Sequence, residues 1–204
     1  MHKNSHTKME WFKKTYLDTS SKLDVLDVGS LDGQNYNYSD IFDEENWTYT
    51  GLDYIAGNNV DIVVTDIYNW FEVEDNTYDV VISGQLFEHL EFFWLTMSQI
   101  ERVLRPGGYV CIIAPSAGPR HGGNMPNCYL FYEDGLRAMA KYVDLEVLHA
   151  SVDEREEANP WNDACLVAHK AGSMISNQET QELEDRMNNL EGKLDSILEA
   201  LSKK

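Results

Sequence analysis

The sequence predicts an α/β fold with a doubly wound, mostly parallel seven-stranded sheet, and three observations predict it. Short apolar runs alternate along the chain with longer amphipathic stretches, which is the pattern of strands joined by crossover helices. The first apolar run ends abruptly at Gly29, and Gly33 follows, so a strand leads into a glycine turn. A later apolar run ends in Asp53. Such strand ends meet at one edge of a parallel sheet, where ligands bind.

The predicted elements follow one another in order. We expect strands at 23–28, 47–53, 60–64, 78–83, 108–115, 144–152 and 163–169. Helices are expected at 5–18, 85–104 and 131–142, with a short helix after Gly33. The connection 54–59 is too short for a full helix. The helix at 5–18 either covers the mouth of the site or caps the sheet, and we favour capping; its apolar side comprises Met9, Trp11, Phe12, Tyr16 and Leu17.

The sequence divides into three parts, which we predict to be an N-terminal helix at 1–19, a main domain at 20–172 and a tail at 173–204. Apolar residues in the tail recur at alternating intervals of four and three, which predicts a coiled-coil helix. Its apolar stripe needs a partner, either the main domain or the tails of other subunits. We favour a homo-oligomer through residues 180–201, with the number of strands open. The stripe comprises Leu183, Met187, Leu190, Leu194, Ile197 and Leu201.

Composition narrows the class of protein. The net charge is −19, whereas nucleic-acid binders usually carry a basic surface, so a nucleic-acid partner is disfavoured. No apolar run approaches the roughly 20 residues that span a bilayer, and the first residues do not form a secretory signal. Three scattered cysteines, without a Cys-x-x-Cys pair, indicate a reducing compartment. We therefore expect a cytoplasmic protein without a membrane partner.

The spacing of the strand ends predicts the kind of ligand. Asp53 lies twenty residues past Gly33, where nucleotide-binding α/β folds place an acid that accepts hydrogen bonds from ribose hydroxyls. This spacing favours a cofactor that contains a nucleoside. The segment 29–34 does not supply the Gly-x-Gly-x-x-Gly of nicotinamide-binding proteins, which disfavours oxidoreduction.

Asp27-Val28-Gly29-Ser30-Leu31-Asp32-Gly33 resembles the first motif of class I S-adenosylmethionine-dependent methyltransferases, with Leu31 in place of the middle glycine. Asp66-Ile67, the strand 78–83 and Arg105-Pro106-Gly107-Gly108 match further family motifs in order, and the resemblance covers roughly 20–170. It implies a Rossmann-like methyltransferase fold, S-adenosylmethionine as cofactor and S-adenosylhomocysteine as product. The cofactor contacts that it implies are Asp27, Gly29, Ser30, Asp32, Gly33, Asp53, Tyr54, Asp66, Ile67 and Ser83.

The acceptor side is expected at 85–89 and in the long polar loop 116–127. His121 lies in that loop and is a candidate general base, because histidine titrates near neutrality. His89 is the rival. Each candidate also has a structural alternative. His121 would then be a solvated loop residue, and Glu88-His89 would only support the cofactor loop. Asp32 would cap a helix instead of contacting the ligand. Acids are too numerous to nominate metal ligands, so none is named.

A second resemblance concerns the acceptor. Residues 115–121 and 126–137 resemble a subgroup of small bacterial methyltransferases associated with glycan biosynthesis, with Leu130 where that subgroup tends to have arginine. This resemblance implies methyl transfer to oxygen or nitrogen of a small polar acceptor such as a sugar. The segment 161–163 either lines the same pocket or anchors the sheet edge. The competing hypotheses are a non-catalytic cofactor-binding scaffold and a methyltransferase for protein or nucleic acid.

Overall fold

The computed structural model describes residues 3–32, 37–121, 125–153 and 161–172. The chain divides into two units, Met1–Ala171 and Gly172–Lys204, and the described residues belong to the first apart from Gly172. The predicted helix after Gly33 falls partly outside the described residues, and 37–44 forms turns. The predicted coiled-coil tail at 173–204 lies wholly outside them, so both remain predictions. Within the described part of the chain, no helix is both long and apolar enough to cross a bilayer.

The described residues form a seven-stranded sheet in the order β3-β2-β1-β4-β5-β7-β6. Strands β1 to β5 pair in parallel, whereas β7 pairs antiparallel with both β5 and β6. The predicted seven-stranded, mostly parallel sheet is therefore confirmed. The strands are β1 (Leu23–Val28), β2 (Trp47–Asp53), β3 (Ile62–Val63), β4 (Tyr78–Gly84), β5 (Leu104–Pro115), β6 (Glu146–Val152) and β7 (Asp163–His169).

Three predicted strands begin two or more residues away from their observed starts. The helices predicted at 5–18 and 131–142 are Lys3–Tyr16 and Glu133–Tyr142, and the strand predicted at 78–83 ends one residue later. The third strand is shorter than 60–64 because only Leu52 and Asp53 of β2 have register partners on it. The fifth strand begins at Leu104 and not at 108, since Leu104 already pairs with Tyr78 ahead of a bulge. The sixth strand begins after residue 144, because Asp144 adopts a left-handed backbone with φ 56° that ends the preceding turn.

Helices cover both faces of the sheet. They are α1 (Lys3–Tyr16), α2 (Phe93–Val103) and α3 (Glu133–Tyr142). The single helix predicted at 85–104 is wrong, because Gln85 has φ 60°, residues Phe87–His89 form one turn of 3-10 helix, and Leu90 is extended. This interruption turns the chain at the carboxyl end of β4 and so directs 85–89 towards the site.

The core has two layers, one on each face of the sheet, because successive strand residues point to opposite faces. On β4, Val81 packs in one apolar cluster whereas Val80 and Ile82 pack in the other. Met9 and Phe12 of α1 are fully buried in that second cluster. The N-terminal helix therefore caps the sheet, as we favoured.

We expect Phe12→Ala to lower the free energy of unfolding by about 3–5 kcal/mol, because it removes a fully buried ring and leaves a cavity between α1 and the sheet. Lys14→Ala, at an exposed position of the same helix, is the matched control. It should change the free energy of unfolding by less than about 0.5 kcal/mol. Urea unfolding of both variants measures the difference. Equal stabilities would show that α1 is not part of the folded core.

Candidate active site

The turn after β1 lies against the ends of its two neighbouring strands. Gly29 has φ 81°, and its N–H donates to the carbonyl oxygen of Leu52 at 2.9 Å. A Cβ at this position would lie 2.9 Å from Cδ2 of Leu86, which follows β4. Glycine is therefore required here both by the backbone conformation and by the close approach of Leu86.

Asp53 ends β2 with its carboxylate held at the same edge. The backbone N–H groups of Ile55 and Leu31 donate to its two oxygens at 3.0 and 3.3 Å. Burial raises the pKa of Asp53, although these backbone hydrogen bonds oppose the shift. Each carboxylate oxygen has a further lone pair, so the geometry fits an acceptor for ribose hydroxyls. Tyr54, the next predicted contact, is half exposed beside it.

Three other predicted cofactor residues are buried and bonded within the protein. The hydroxyl of Tyr49 donates to Asp27 at 2.6 Å, and burial raises the pKa of Asp27 to about 7. Ser30 donates to the carbonyl oxygen of Asn59 at 2.7 Å, and Ser83 donates to that of Val28 at 2.8 Å. These contacts shape the strand ends, and a direct role with cofactor stays a prediction for all three.

Three of the four remaining predicted cofactor residues, Asp66, Ile67 and Asp32, are among the described residues. Asp66 and Ile67 follow β3; the Asp66 carboxylate accepts from the Tyr68 N–H at 2.8 Å. The Ile67 carbonyl oxygen accepts from the Trp70 indole at 2.8 Å. Asp32 accepts from the Asn37 amide at 2.8 Å. Gly33 lies outside the described residues, so its predicted contact and the alternative of a helix cap at Asp32 stay untested.

The two segments expected on the acceptor side meet, although residues 90–115 lie between them in the sequence. The Glu88 carbonyl oxygen accepts from the Cys128 N–H at 2.7 Å. The rings of His89 and His121, the two candidate bases, have centroids 5.0 Å apart. The sequence thus predicted both histidines and the loop, and the fold places them side by side.

The segment 161–163 borders the same place. The ring centroids of Trp161 and His121 are 4.5 Å apart. The backbone carbonyl oxygen of Trp161 accepts a hydrogen bond from the Ser116 N–H at 3.1 Å. Asp163, which is fully buried, accepts from the Gln85 amide at 3.0 Å. The segment 161–163 is thus held beside His121 by hydrogen bonds, and both alternatives for it stay predictions.

Sequence reasoning missed the central group of this site, the Glu88 carboxylate. Glu88 is only 1% exposed, and among the described residues neither of its carboxylate oxygens has a hydrogen-bond partner. Its Oε1 lies 3.6 Å from Nε2 of His89 and 3.7 Å from Nε2 of His121. Burial, together with the charge of nearby Asp163, raises the pKa of Glu88 to about 8. The adjacent Glu88-His89 pair was the only sequence signal, and it does not reveal burial.

Each histidine has a carbonyl oxygen beside its Nδ1 atom. Nδ1 of His89 lies 2.7 Å from the carbonyl oxygen of Pro126, and Nδ1 of His121 lies 3.3 Å from that of Pro119. Nδ1 of His89 also lies 3.3 Å from the Asn127 amide nitrogen. The tautomer that donates from Nδ1 to the carbonyl oxygen keeps the lone pair of the neutral ring on Nε2. Burial lowers the pKa of His89, which favours this neutral form. In this tautomer both Nε2 lone pairs are available beside Glu88.

Part of the chain matches a known family model. Residues 26–112 match a family model described as "Methyltransferase domain". This segment contains the strand ends at Gly29, Asp53 and Ser83, but ends before His121. No curated protein matches the chain in sequence.

Solved structures show the same fold at low sequence identity. The 1,6-didemethyltoxoflavin-N1-methyltransferase of Burkholderia thailandensis, crystallised with S-adenosylhomocysteine, is 13% identical with a TM-score of 0.65, over 82% of this chain and 78% of its own. A SAM-dependent methyltransferase from Aquifex aeolicus is 17% identical with a TM-score of 0.55, over 84% of this chain and 100% of its own. The cyclase SpnF is 16% identical with a TM-score of 0.63, over 82% of this chain and 80% of its own. The chain thus has a Rossmann-like methyltransferase fold.

We expect Asp27→Asn to remove a pH dependence of stability. Burial raises the folded-state pKa of Asp27 to about 7, so as the pH rises the native state keeps this proton after the unfolded state has lost it. The free energy of unfolding therefore falls between about pH 4 and pH 7. The variant should match the wild type near pH 4 and exceed it at pH 8. Urea unfolding at both pH values measures the free energy of unfolding, with the exposed Asp43→Asn variant as the control. An equal fall of this free energy in Asp27→Asn and Asp43→Asn would contradict the prediction.

Proposed function

We propose that this chain is an S-adenosylmethionine-dependent methyltransferase that transfers a methyl group to oxygen or nitrogen of a small polar acceptor. The observation that carries the proposal is the convergence of two groups of residues at one sheet edge. The turn at Gly29 and the carboxylate of Asp53 form the cofactor side, within the segment that matches a methyltransferase domain. His89, His121 and Glu88 form the acceptor side.

The residues at the strand ends fit the cofactor. Bound S-adenosylmethionine would supply an electrophilic methyl group on a positively charged sulfur. The Asp53 carboxylate, fixed by two backbone N–H groups, is oriented to accept from ribose hydroxyls. Asp66 and Ile67, at the end of the neighbouring β3, are placed for the adenine. The short β2–β3 connection leaves this edge of the sheet uncovered by a helix.

The acceptor side supports proton removal during transfer. Methyl transfer needs the attacking atom in line with the methyl group and the sulfur, and a hydroxyl or ammonium group must also lose a proton. The Nε2 lone pairs of His121 and His89 are available for that proton. The His121 side chain is 31% exposed whereas that of His89 is 8% exposed, so His121 is better placed to reach a bound acceptor.

A sugar or glycan precursor is the acceptor that we favour. The loop after β5 is polar, and it joins the imidazoles to the Asn127 amide, which donates to the His121 carbonyl oxygen at 2.6 Å. Groups of this kind match hydroxyl-rich molecules. The net charge of −19 disfavours a polyanionic acceptor such as nucleic acid. A non-catalytic scaffold would leave the paired imidazoles without a use.

We expect S-adenosylmethionine and S-adenosylhomocysteine to bind in calorimetric titration and NADH not to bind. Asp53→Ala should weaken both interactions by more than about tenfold, because it removes the acceptor for the ribose hydroxyls. Asp43→Ala, on an exposed acid, is the control and should bind as the wild type does. Absence of binding to the wild type would refute the proposed cofactor.

We also propose that the chain forms a homo-oligomer through residues 180–201 and acts in the cytoplasm. The alternating apolar stripe of the tail supports the oligomer, and the free thiols of Cys111, Cys128 and Cys165 support a reducing compartment.

Deleting 174–204 should lower the solution mass to that of a monomer while the main domain stays folded, because it removes the apolar stripe. Light scattering measures the mass and circular dichroism the fold. An oligomer of unchanged mass after the deletion would contradict the role of the tail.

A further inference from the structure

Three side chains on the acceptor side have the composition of a metal site. Glu88, His89 and His121 each offer one ligand atom, and these three atoms all lie within 4.8 Å of one another. Ligands about 2.0–2.1 Å from a tetrahedral zinc ion are about 3.3–3.4 Å apart. The separations of Glu88 Oε1 from the two Nε2 atoms, 3.6 and 3.7 Å, are close to that geometry. The three ligand atoms as a set lie within 4.8 Å of one another, so an ion would draw the two imidazoles closer together.

The Glu88 carboxylate supplies the strongest argument for a cation. It is nine-tenths or more buried, and neither of its oxygens has a hydrogen-bond partner among the described residues. An isolated buried carboxylate is costly, so buried acids are paired or coordinate metals. The buried acid Asp163 adds negative potential beside it. A cation between Glu88 and the two imidazoles would compensate the charge of the Glu88 carboxylate.

The two imidazoles are already held as metal ligands are held. Histidines that bind metals almost always donate their other ring N–H to a carbonyl or carboxylate, which fixes the ring and leaves one nitrogen for the ion. His89 does so to Pro126 at 2.7 Å and His121 to Pro119 at 3.3 Å. Both Nε2 atoms therefore lie beside Glu88 with their lone pairs free.

We propose that Glu88, His89 and His121 bind one divalent transition-metal ion of the zinc type. Two imidazoles and one carboxylate select zinc, iron or cobalt over magnesium and calcium, which prefer all-oxygen sites. A set of three protein ligands is typical of catalytic sites, since it leaves a coordination position open for water or substrate. Partial exposure of the His121 side chain leaves this position accessible.

The use of the ion rests on the proposed function. An acceptor hydroxyl at the open position would lose its proton to water more readily, because the ion acts as a Lewis acid. Its oxygen then forms the bond to the methyl carbon while the carbon–sulfur bond breaks and its electron pair returns to sulfur. In this arrangement His89 and His121 hold the ion, and neither serves as the free base.

Metal titration of the untagged, chelator-treated full chain tests the site. Zn²⁺ calorimetry should give one site per chain, and Co²⁺ should develop visible ligand-field absorption on binding. Glu88→Gln and His121→Ala should each weaken Zn²⁺ binding by more than about tenfold, or about 1.4 kcal/mol. His169→Gln is the matched control, because Nδ1 of His169 also lies 3.7 Å from a carboxylate, Oε2 of Glu146, at the surface. That variant should bind as the wild type does.

The possible outcomes distinguish failure of the proposed metal site from failure of the proposed methyltransferase function. Circular dichroism of every variant and S-adenosylhomocysteine titration in parallel establish that each is folded. Binding of S-adenosylhomocysteine without saturable Zn²⁺ or Co²⁺ binding would overturn the metal site and leave the methyltransferase standing. Metal binding that the two variants leave unchanged would also overturn it. Metal binding that depends on Glu88 and His121, without S-adenosylhomocysteine binding, would support the site and refute the proposed function.

Discussion

The register of β1 between β2 and β4 is the constraint on which the site depends. Val28 is aligned with Leu52, and Asp27 with both Gly51 and Ile82, so three parallel strands end together. Gly29, Asp53 and the turn at Gln85 consequently follow at one edge. A one-residue slip in β1 would turn its buried side chains to the other face of the sheet. The apolar cores on both faces oppose that slip, so the core that stabilises the fold also fixes the site.

Buried polar groups at this edge fall into two kinds. Ser30 and Ser83 donate to backbone carbonyl oxygens and so stabilise the strand ends at little cost. Glu88 lies at the end of the same sheet, but its carboxylate has no hydrogen-bond partner among the described residues. The hydrogen-bonded groups of the first kind hold the strand ends in place. Burial of the Glu88 carboxylate between two imidazoles, without a hydrogen-bond partner in the described part of the chain, lowers the stability of the fold, and such costs are typical of functional sites.

The fold alone does not determine the chemistry. Both methyltransferases and a cyclase have this sheet, so the activity must be argued from the side chains at its edge. The family match covers 26–112, which includes the cofactor edge and Glu88-His89. His121 and Trp161 enter from the loop after β5 and from the segment before β7, beyond that match. His121 and Trp161 thus lie in parts of the chain that the family model does not cover.

By itself the sequence determined the seven strands, their order in the chain and the positions of Gly29 and Asp53 at the ends of β1 and β2, because apolar runs and glycine turns are local signals. It also predicted His89 and His121 as candidates. Only the tertiary structure decided that these histidines are neighbours, that the predicted helix at 85–104 is interrupted at Leu90, and that Glu88 is buried between them. Burial of a carboxylate and the distance between two side chains depend on how remote segments pack, and no local pattern of residues encodes them.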